Sequence, residues 1–423
     1  MTTLSLLALC TFLTAYSLVV SEDFTKLRKS KPLLLGAGAI WVMASLAGNR
    51  EAVADGLRDS VYEFGQLFLF LLVAIAYVNA IRARGVFDWI SARCLAGRGG
   101  LRRAFWITGI LAFLLSPVAD NLTTALVLGA VVSVIGQDNS RFVVIASINI
   151  VVAANAGGAF SPFGDLTTLM VWQAGKVQTA NFLWLIAPAL VSWLIPAFVI
   201  QFSIDRADTP SSHPTVKLHA DWAIVVGLFV ATIATAVLFH GVLHLPPFLG
   251  MTTGLGYYMM YCYFDCRRHG VQDPGSKVFE HIRGIEWDTM LFFFGVILCL
   301  GGLRVFGHLH VAAQFLYGDL GTTPANLLVG LASAVLDNVP VMFAVLGMDL
   351  QMGQPDWLLV TLTAGIGGSL LSIGSAAGVA LMGASRGAYT FTRHLVWTPV
   401  IFIGCVAGVA VHLWITAAGL IPS

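Results

Sequence analysis

Three aspartates lie inside stretches of sequence that are otherwise apolar enough to cross a lipid bilayer. They are Asp120 in the motif SPVADN, Asp165 after the glycine-rich stretch NAGGAFSPFG, and Asp337 in SAVLDN. An ionisable group at membrane depth costs several kcal/mol and is by default a functional feature. These three carboxylates are therefore the first place to look for chemistry.

Neutral oxygen donors accompany the carboxylates in sequence. Hydroxyl and amide oxygens, with carbonyls freed where a helix unwinds, are the ligands of hard cations. An anionic substrate would need positive groups, and no Lys or Arg falls in segments 104–135, 142–174, 308–347 or 357–384. We predict a site for a small cation. Its expected residues are Ser116, Asp120, Asn121, Thr123, Thr124, Asn155, Ser161, Asp165, Thr167, Thr168, Ser333, Asp337, Asn338, Ser372 and Ser375. Those expected to hold the cation itself are Asp120, Asn121, Asn155, Asp165 and Thr168.

The segments that carry these residues have the composition of membrane helices. Of the 423 residues, 57% are hydrophobic and only 11% are charged, whereas soluble domains have about a quarter charged residues. The formal net charge of +1 gives no electrostatic case for binding nucleic acid. We expect an all-α polytopic membrane protein. Its apolar windows are 2–20, 33–49, 62–81, 104–135, 142–174, 183–203, 222–240, 247–264, 288–303, 308–347, 357–384 and 395–418.

Four of these windows are irregular. Windows 104–135 and 308–347 are too long for one crossing and carry Pro and Asp near their middles, which predicts two re-entrant hairpins. Windows 142–174 and 357–384 are predicted to be transmembrane helices that unwind at glycine-rich centres. With this topology 19 of the 23 Lys and Arg residues lie on one face. The positive-inside rule makes that face cytoplasmic and places both termini outside, in the periplasm.

The second half of the sequence repeats the first. Three pairs of stretches match: 66–87 with 290–309, SPVADN at 116–121 with SAVLDN at 333–338, and GGAFSPFGD at 157–165 with GGSLLSIGS at 367–375. The charge distribution starts the two copies on opposite faces, which predicts inverted repeats. Inverted repeats with breaks at matching positions are typical of secondary transporters, whose substrate sites lie at the repeat interface.

The repeat also predicts how the chain is divided. Residues 1–60 are expected to form N-terminal scaffold helices, 61–204 the first inverted repeat, 205–286 a linker with scaffold helices, and 287–423 the second inverted repeat. Asp165 of the first copy corresponds to Ser375 of the second. The cation site is therefore expected to be asymmetric and centred on the first repeat.

The carboxylates suggest how transport is coupled. A carboxyl group shielded from water holds a proton more readily than one in solution. If one Asp binds either a proton or a monovalent cation, competition for its oxygens exchanges the two without a separate proton path. Under this hypothesis, Asp120→Asn abolishes proton-coupled cation flux.

Several motifs closely resemble those of the NhaD-type sodium/proton antiporters of the ion-transporter superfamily. They are SPVADNLTTAL, NAGGAFSPFGDLTTLMVW, LDNVPVMFAVL, GGSLLSIGSAAGVALMG and YTFTRHLVWTP, and the match runs from about residue 60 to the C-terminus. The resemblance implies a bacterial inner-membrane antiporter that exchanges Na⁺ or Li⁺ for H⁺ and needs no cofactor. It also implies a homodimer whose moving domain carries both hairpins in an elevator-type motion. Family positions important for activity correspond to Ser116, Asp120, Asn121, Asn155, Asp165, Thr167, Thr168, Ser333, Asp337, Asn338, Ser372 and Ser375.

One position departs from the family pattern. Where the family usually has AELFLF, this chain has GQLFLF, so Gln66 replaces an acidic residue. Glu63, nearly one helical turn earlier, is close enough to compensate, although a position at the outer membrane interface explains it as well. Both residues are predicted to be modulatory.

Two other functions compete with cation exchange. A dicarboxylate, citrate or arsenite carrier of the same fold should lack acidic residues at its hairpin tips, whereas both tips here have Asp before Asn. An intramembrane aspartyl protease also needs two membrane aspartates, but its Gly-x-Gly-Asp pattern fails because Pro162 stands where the first Gly is required.

Two further expectations concern the membrane interface. His308 is expected in an interfacial turn, and several tryptophans, including Trp172 and Trp193, are expected to face lipid or headgroups.

Overall fold

The computed structural model describes residues 2–48, 50–95, 100–136, 139–204, 217–268, 276–285, 287–385 and 387–421. Within these ranges the chain is helical and has no β-strand. Eight of the described helices are long and apolar enough to cross a membrane. The prediction of an all-α polytopic membrane protein is confirmed. Part of the predicted linker, residues 205–216, lies outside the described residues.

The first half of the chain begins with long helices and ends with shorter, interrupted ones. Its described helices are α1 (Thr3–Val20), α2 (Glu22–Thr25), α3 (Ser30–Leu46), α4 (Arg50–Ala83), α5 (Val86–Leu95), α6 (Leu101–Ala119), α7 (Asn121–Ile135), α8 (Ser140–Gly158), α9 (Leu166–Gln173) and α10 (Ile186–Ile200). Short 3₁₀ segments, Thr179–Leu185 and Gln201–Ser203, flank α10.

The second half is interrupted in a similar way. Its described helices are α11 (Trp222–Gly241), α12 (Pro247–Arg268), α13 (Ser276–Arg283), α14 (Trp287–Val305), α15 (His308–Ala313), α16 (Thr322–Leu336), α17 (Asn338–Gly347), α18 (Gln354–Gly367), α19 (Ala376–Ala384), α20 (Phe391–Leu395) and α21 (Thr398–Ala417). A π-helical turn, Gln314–Asp319, follows α15.

Two elements differ from their predicted windows. Helix α4 begins at Arg50, well before the window 62–81, because residues 50–61 are polar but rich in good helix formers. The window 308–347 contains α15 and the π-helical turn before the two helices that flank Asp337 begin at Thr322. Gly321, with φ 83°, separates these parts.

The described chain forms two compact units, of which the first comprises residues 1–83, 220–320 and 343–350. In it, α14 packs against α3 and α4, and α12 packs against α4 and α11. His308 follows the turn at Gly307, but it is buried, and its Nε2 lies 3.0 Å from the Ser5 hydroxyl and 2.9 Å from the Ser5 carbonyl oxygen. Helix α1, rather than the membrane interface, therefore supplies the partners of this ring.

The second unit comprises residues 84–219, 321–342 and 351–423. Its centre contains two helices that end at glycines, α8 and α18. Every residue from 142 to 158 and from 357 to 367 is buried. Helices α6, α7 and α10 pack against α8, and α16 and α21 pack against α18. Because protein surrounds both central helices, their ends can carry polar groups at membrane depth.

Small residues bring the outer helices of the second unit together. On α21, Gly404 and Gly408 let α10 approach so closely that a Cβ atom on Gly408 would lie 2.7 Å from the Pro188 carbonyl oxygen. This spacing of small residues is typical of helix pairs in membranes, where no hydrophobic effect drives association.

Two tryptophans lie inside the second unit. Trp172 and Trp193 are 0% and 2% exposed, so the expectation that they face lipid or headgroups is wrong. The Trp193 indole donates to the side-chain oxygen of Asn149 at 2.8 Å and stacks on Phe113 at 5.3 Å between ring centroids. A buried partner for its N–H makes this position favourable.

Candidate functional site

Two helix pairs break at an aspartate that is followed by an asparagine. Asp120 separates α6 from α7, and Asp337 separates α16 from α17. The backbone of Asp120 has φ 56° and ψ 161°, and that of Asp337 has φ 64° and ψ 144°. Glycine tolerates such angles, whereas other residues there cost on the order of 1–3 kcal/mol. Backbone strain of this kind is concentrated at functional sites, which makes both aspartates candidates for the site.

The carboxylates at these breaks accept hydrogen bonds from the helices that follow. One oxygen of Asp120 accepts from the Thr123 N–H and the other from the Thr123 hydroxyl, both at 2.8 Å. Asp337 accepts from the N–H of Asn338 at 2.8 Å. Both aspartates are half-buried. Each therefore stabilises the first turn of the helix that it precedes.

The two central helices unwind at corresponding places. Helix α8 is followed by a break that ends at Asp165, and α18 by a break that ends at Ser375. Asp165 has φ −146° and ψ 146°, and Ser375 has φ −146° and ψ 148°. Asp165 accepts from the Thr167 N–H at 3.4 Å, and Ser375 from the Gly378 N–H at 3.3 Å. A similar cap thus begins both following helices, with a carboxylate in one and a hydroxyl in the other.

Three of the predicted serines hold the backbone and sulfur groups near the breaks. Ser116 donates to the carbonyl of Ala154, and Ser333 donates to the carbonyl of Ala364, both at 2.6 Å. These two serines precede the strained aspartates, and their hydroxyl hydrogens are committed to the central helices. Ser372 donates to the sulfur of Met382 at 3.2 Å.

Asn155 is the centre of a buried amide network. The residue is 0% exposed, and its side-chain oxygen accepts from the amide of Asn121 at 3.1 Å. Its own amide donates to the hydroxyls of Ser369 and Ser375, each at 2.9 Å. Ser369 is not among the predicted site residues, although it lies in the repeated motif GGSLLSIGS. The network joins residues of both predicted repeats.

Asp165 is the most deeply buried of the three aspartates. It is 4% exposed, and the amide nitrogen of Asn338 lies 3.1 Å and 2.9 Å from its two oxygens. Asp337 is near enough for a coulombic interaction with it. Among the described residues, no Lys or Arg forms an ion pair with Asp165. A buried carboxylate with these surroundings favours a bound cation or proton.

A glycine leaves space beside Asp165. A Cβ atom on Gly365 would lie 3.6 Å from Oδ2 of Asp165 and 4.0 Å from the carbonyl oxygen of Asn155. Gly365 occupies the position in the second predicted copy that Asn155 occupies in the first, by the spacing that relates Asp165 to Ser375. Where the first predicted copy has an amide side chain, the second therefore has none beside the carboxylate.

Three further predicted threonines lie next to the breaks. The hydroxyls of Thr124 and Thr167 are buried and have no hydrogen-bond partner within the described structure. Thr168 donates to the carbonyl of Gly158 at 3.4 Å. Leaving a buried hydroxyl unpaired costs about 1–3 kcal/mol. The two unpaired hydroxyls fit a site whose cation would use their oxygens.

The remaining predicted residues have other surroundings. Ser161 donates to the carbonyl of Pro117 at 2.7 Å and so holds the first break against α6.

Glu63 and Gln66 belong to α4 of the first unit. Oε1 of Glu63 lies 3.9 Å from Nη1 of Arg304, and Glu63 lines a cavity of about 230 Å³. Their modulatory role stays a prediction.

A permanently bound metal ion is usually held by a cluster of His, Cys, Asp or Glu side chains. In the ranges that the structure describes, no three His, Cys, Asp or Glu side chains gather as metal ligands would. The donors around Asp165 are amides and hydroxyls, which suit a cation that is bound and released.

The chain is similar to known transport proteins. The family model described as "Citrate transporter" matches residues 6–365. The chain is 48% identical to the Na(+)/H(+) antiporter NhaD of Alkalimonas amylolytica, over 96% of this chain and 89% of the relative. It is 47% identical to the Na(+)/H(+) antiporter NhaD of Vibrio cholerae, over 97% of this chain and 92% of the relative. Sodium/proton antiporter 2 of Arabidopsis thaliana is 30% identical, over 94% and 96% of the two chains.

Proposed function

The chain belongs to the citrate transporter family and, within it, to the NhaD-type antiporters, and on this premise we propose that it exchanges Na⁺ or Li⁺ for H⁺ across the membrane. It is a transporter and not an enzyme, which removes the aspartyl protease from consideration. The observation that carries the proposed exchange is the buried carboxylate of Asp165, held by the Asn338 amide.

The proposed exchange rests on competition for the Asp165 oxygens. With neither ligand bound, the carboxylates of Asp165 and Asp337 would repel each other in a medium of low dielectric constant. A cation or a proton relieves this repulsion, and both cannot use the same oxygen lone pairs. Releasing a cation therefore favours taking up a proton, and the reverse holds on the other side of the membrane.

Uncharged donors complete the proposed cation site. Binding a desolvated Na⁺ or Li⁺ requires several oxygens besides one carboxylate. The unpaired hydroxyls of Thr124 and Thr167 support their inclusion, because a bound cation would satisfy both oxygens. With the carboxylates of Asp165 and Asp120, the uncharged ligands that we propose are Asn121, Thr124, Asn155, Thr167 and Thr168.

The proposed transport cycle uses the broken helices as moving parts. We take the pairs α6–α7 and α16–α17 to be re-entrant hairpins of two inverted repeats that move in an elevator-type motion within a homodimer. The similar backbone angles at Asp120 and Asp337, and the equal hydrogen bonds of Ser116 and Ser333, support a repeat. The bacterial relatives support a place in the inner membrane.

An anion carrier is the second candidate function. The description of the matching family model as a citrate transporter favours it. The charge at the site opposes this function, because the carboxylates of a dicarboxylate would be repelled by the carboxylate of Asp165. Among the described residues, no Lys or Arg is paired with Asp165 to offset that repulsion. We therefore favour cation exchange.

Everted membrane vesicles decide between these functions. The vesicles are acidified by respiration and then receive NaCl, LiCl, KCl or succinate while a pH-sensitive dye reports the internal pH. Dequenching by Na⁺ or Li⁺ is expected, and vesicles without the protein give the baseline. A response to succinate alone would establish the anion carrier.

A further inference from the structure

The motif YTFTRHLVWTP, which spans residues 389–399, has no part in the proposed exchange, yet it lies against the second break. His394, in α20, is 0% exposed. Its Nε2 lies 2.9 Å from the carbonyl oxygen of Ser369, and its Nδ1 lies 2.7 Å from the hydroxyl of Tyr389. Both ring nitrogens of a fully buried histidine therefore have partners.

The partners fix the tautomer of His394. A carbonyl oxygen only accepts, so Nε2 must carry the hydrogen that it donates to Ser369. A buried imidazolium would cost several kcal/mol in desolvation, which keeps the ring neutral. In a neutral ring with this tautomer, Nδ1 is the acceptor for the Tyr389 hydroxyl. The ring is consequently a fixed donor toward the break.

A second residue of the motif holds the neighbouring carbonyl. The Thr398 hydroxyl donates to the carbonyl of Leu370 at 2.7 Å. Carbonyls at the end of α18 lose their helical donors where the chain unwinds, and Ser369 and Leu370 are both buried away from water. His394 and Thr398 supply donors to these two consecutive carbonyls of the break.

Ser369 joins this motif to the amide network. Its carbonyl accepts from His394, and its hydroxyl accepts from the amide of Asn155 at 2.9 Å. A change in the position of the Ser369 backbone would therefore move the group that orients Asn155. Through Ser369, hydrogen bonds connect Tyr389 and His394 to Asn155.

We propose that His394 is a positioning residue, which holds the Ser369 backbone so that the Ser369 hydroxyl orients Asn155 for cation binding. His394 does not contact the cation; it acts through Ser369. This inference takes the identity of the transported ion from the proposed function. The contacts of His394, Ser369 and Asn155 do not depend on that function.

A second buried histidine provides a matched control. His412, on α21 of the same unit, is 1% exposed, and its Nε2 lies 3.0 Å from the carbonyl oxygen of Pro355. Pro355 lies at the start of α18, at the opposite end of this helix from the break. Replacing His412 by Leu therefore removes a similar hydrogen bond without touching the route to Asn155.

The test compares His394→Leu, His394→Gln and His412→Leu in everted vesicles with matched protein amounts. We expect His394→Leu to raise the half-saturating Na⁺ concentration about tenfold, the effect of one lost hydrogen bond, with a smaller change in maximal rate. The Gln side chain can still donate to the Ser369 carbonyl, so His394→Gln should recover part of the affinity. His412→Leu should leave the half-saturating concentration unchanged.

Hydrogen–deuterium exchange of the purified protein gives a readout that does not depend on transport. Amides of residues 366–375 should exchange faster in His394→Leu than in the wild type or in His412→Leu. Unchanged exchange there, or an unchanged half-saturating concentration in His394→Leu, would overturn the proposal. A wild type that responds only to succinate would contradict the proposed function, and the same affinity comparison made with succinate would still decide the role of His394.

Discussion

Asp165 differs from the other two membrane aspartates in what its carboxylate oxygens contact. The oxygens of Asp120 accept from Thr123, and Asp337 accepts from a backbone N–H. Asp165 also accepts from a backbone N–H, that of Thr167 at 3.4 Å, but both of its oxygens lie in addition near the side-chain amide of Asn338. An amide side chain can turn away when a cation arrives, and Asp165 is also the most deeply buried of the three carboxylates. Among the three, Asp165 is therefore best suited to bind and release an ion.

The first prediction concerns the charge of Asp165. Asp165→Asn keeps the size of the side chain but removes its charge and its titratable proton, so Na⁺-dependent proton movement should fall to the level of vesicles that lack the protein. Dye dequenching measures the effect at matched protein amounts. Asp356→Asn, at the start of α18 in the same unit, is the control and should remain active. Substantial activity in Asp165→Asn would contradict the proposed exchange.

The second prediction concerns the strained backbone of Asp120. Glycine is relaxed at φ 56° and ψ 161°, while alanine has a strain comparable to that of Asp. Asp120→Gly should therefore be more stable than Asp120→Ala by about 1 kcal/mol, after the greater freedom of an unfolded glycine is subtracted. Thermal unfolding in detergent measures the difference. Equal stability of the two variants would mean that this backbone position carries no strain.

At the scale of the elements, the breaks in the helices are the most predictable feature. The pair Gly157–Gly158 and Pro162 mark the first break, and Asp before Asn marks the interruptions at Asp120 and Asp337, because these residues weaken helices locally. Hydropathy does not predict the start of α4, since residues 50–61 are polar and still helical. The sequence does not single out Ser369, because a serine in a glycine-rich motif has several possible partners and only the folded chain brings it to Asn155.

The third prediction concerns the space at Gly365 on α18. A Cβ atom there would be in van der Waals contact with Asp165, so Gly365→Ala should narrow the site. We expect the half-saturating concentration to rise about fivefold for Na⁺ and less for the smaller Li⁺. Gly383→Ala on α19 is the control, because a Cβ atom there has no neighbour within 4 Å. An equal effect on both ions would argue against a role in ion size discrimination.

At the scale of the whole molecule, the proposed repeat explains why one copy carries most of the chemistry. The breaks, caps and serine hydrogen bonds recur in both copies, whereas Asn155 and Asp165 of the first correspond to Gly365 and Ser375 of the second. If the second copy also had Asn and Asp at positions 365 and 375, a second amide and a second carboxylate would have to fit into the same buried space. Under the proposed transport cycle, a repeat with one substituted copy would instead place paired moving helices around one fully buried carboxylate, that of Asp165.

The last prediction tests the inverted orientation of the two copies. The first copy is predicted to begin outside, near Arg58, and the second to begin inside, after Arg267. Both positions are exposed in the described structure. In a cysteine-free background, Arg58→Cys should react in intact cells with a maleimide that cannot cross the membrane, whereas Arg267→Cys should react only after permeabilisation. Labelling of both or of neither in intact cells would contradict the inversion, because two copies that begin on the same face cannot be related by an axis in the membrane plane.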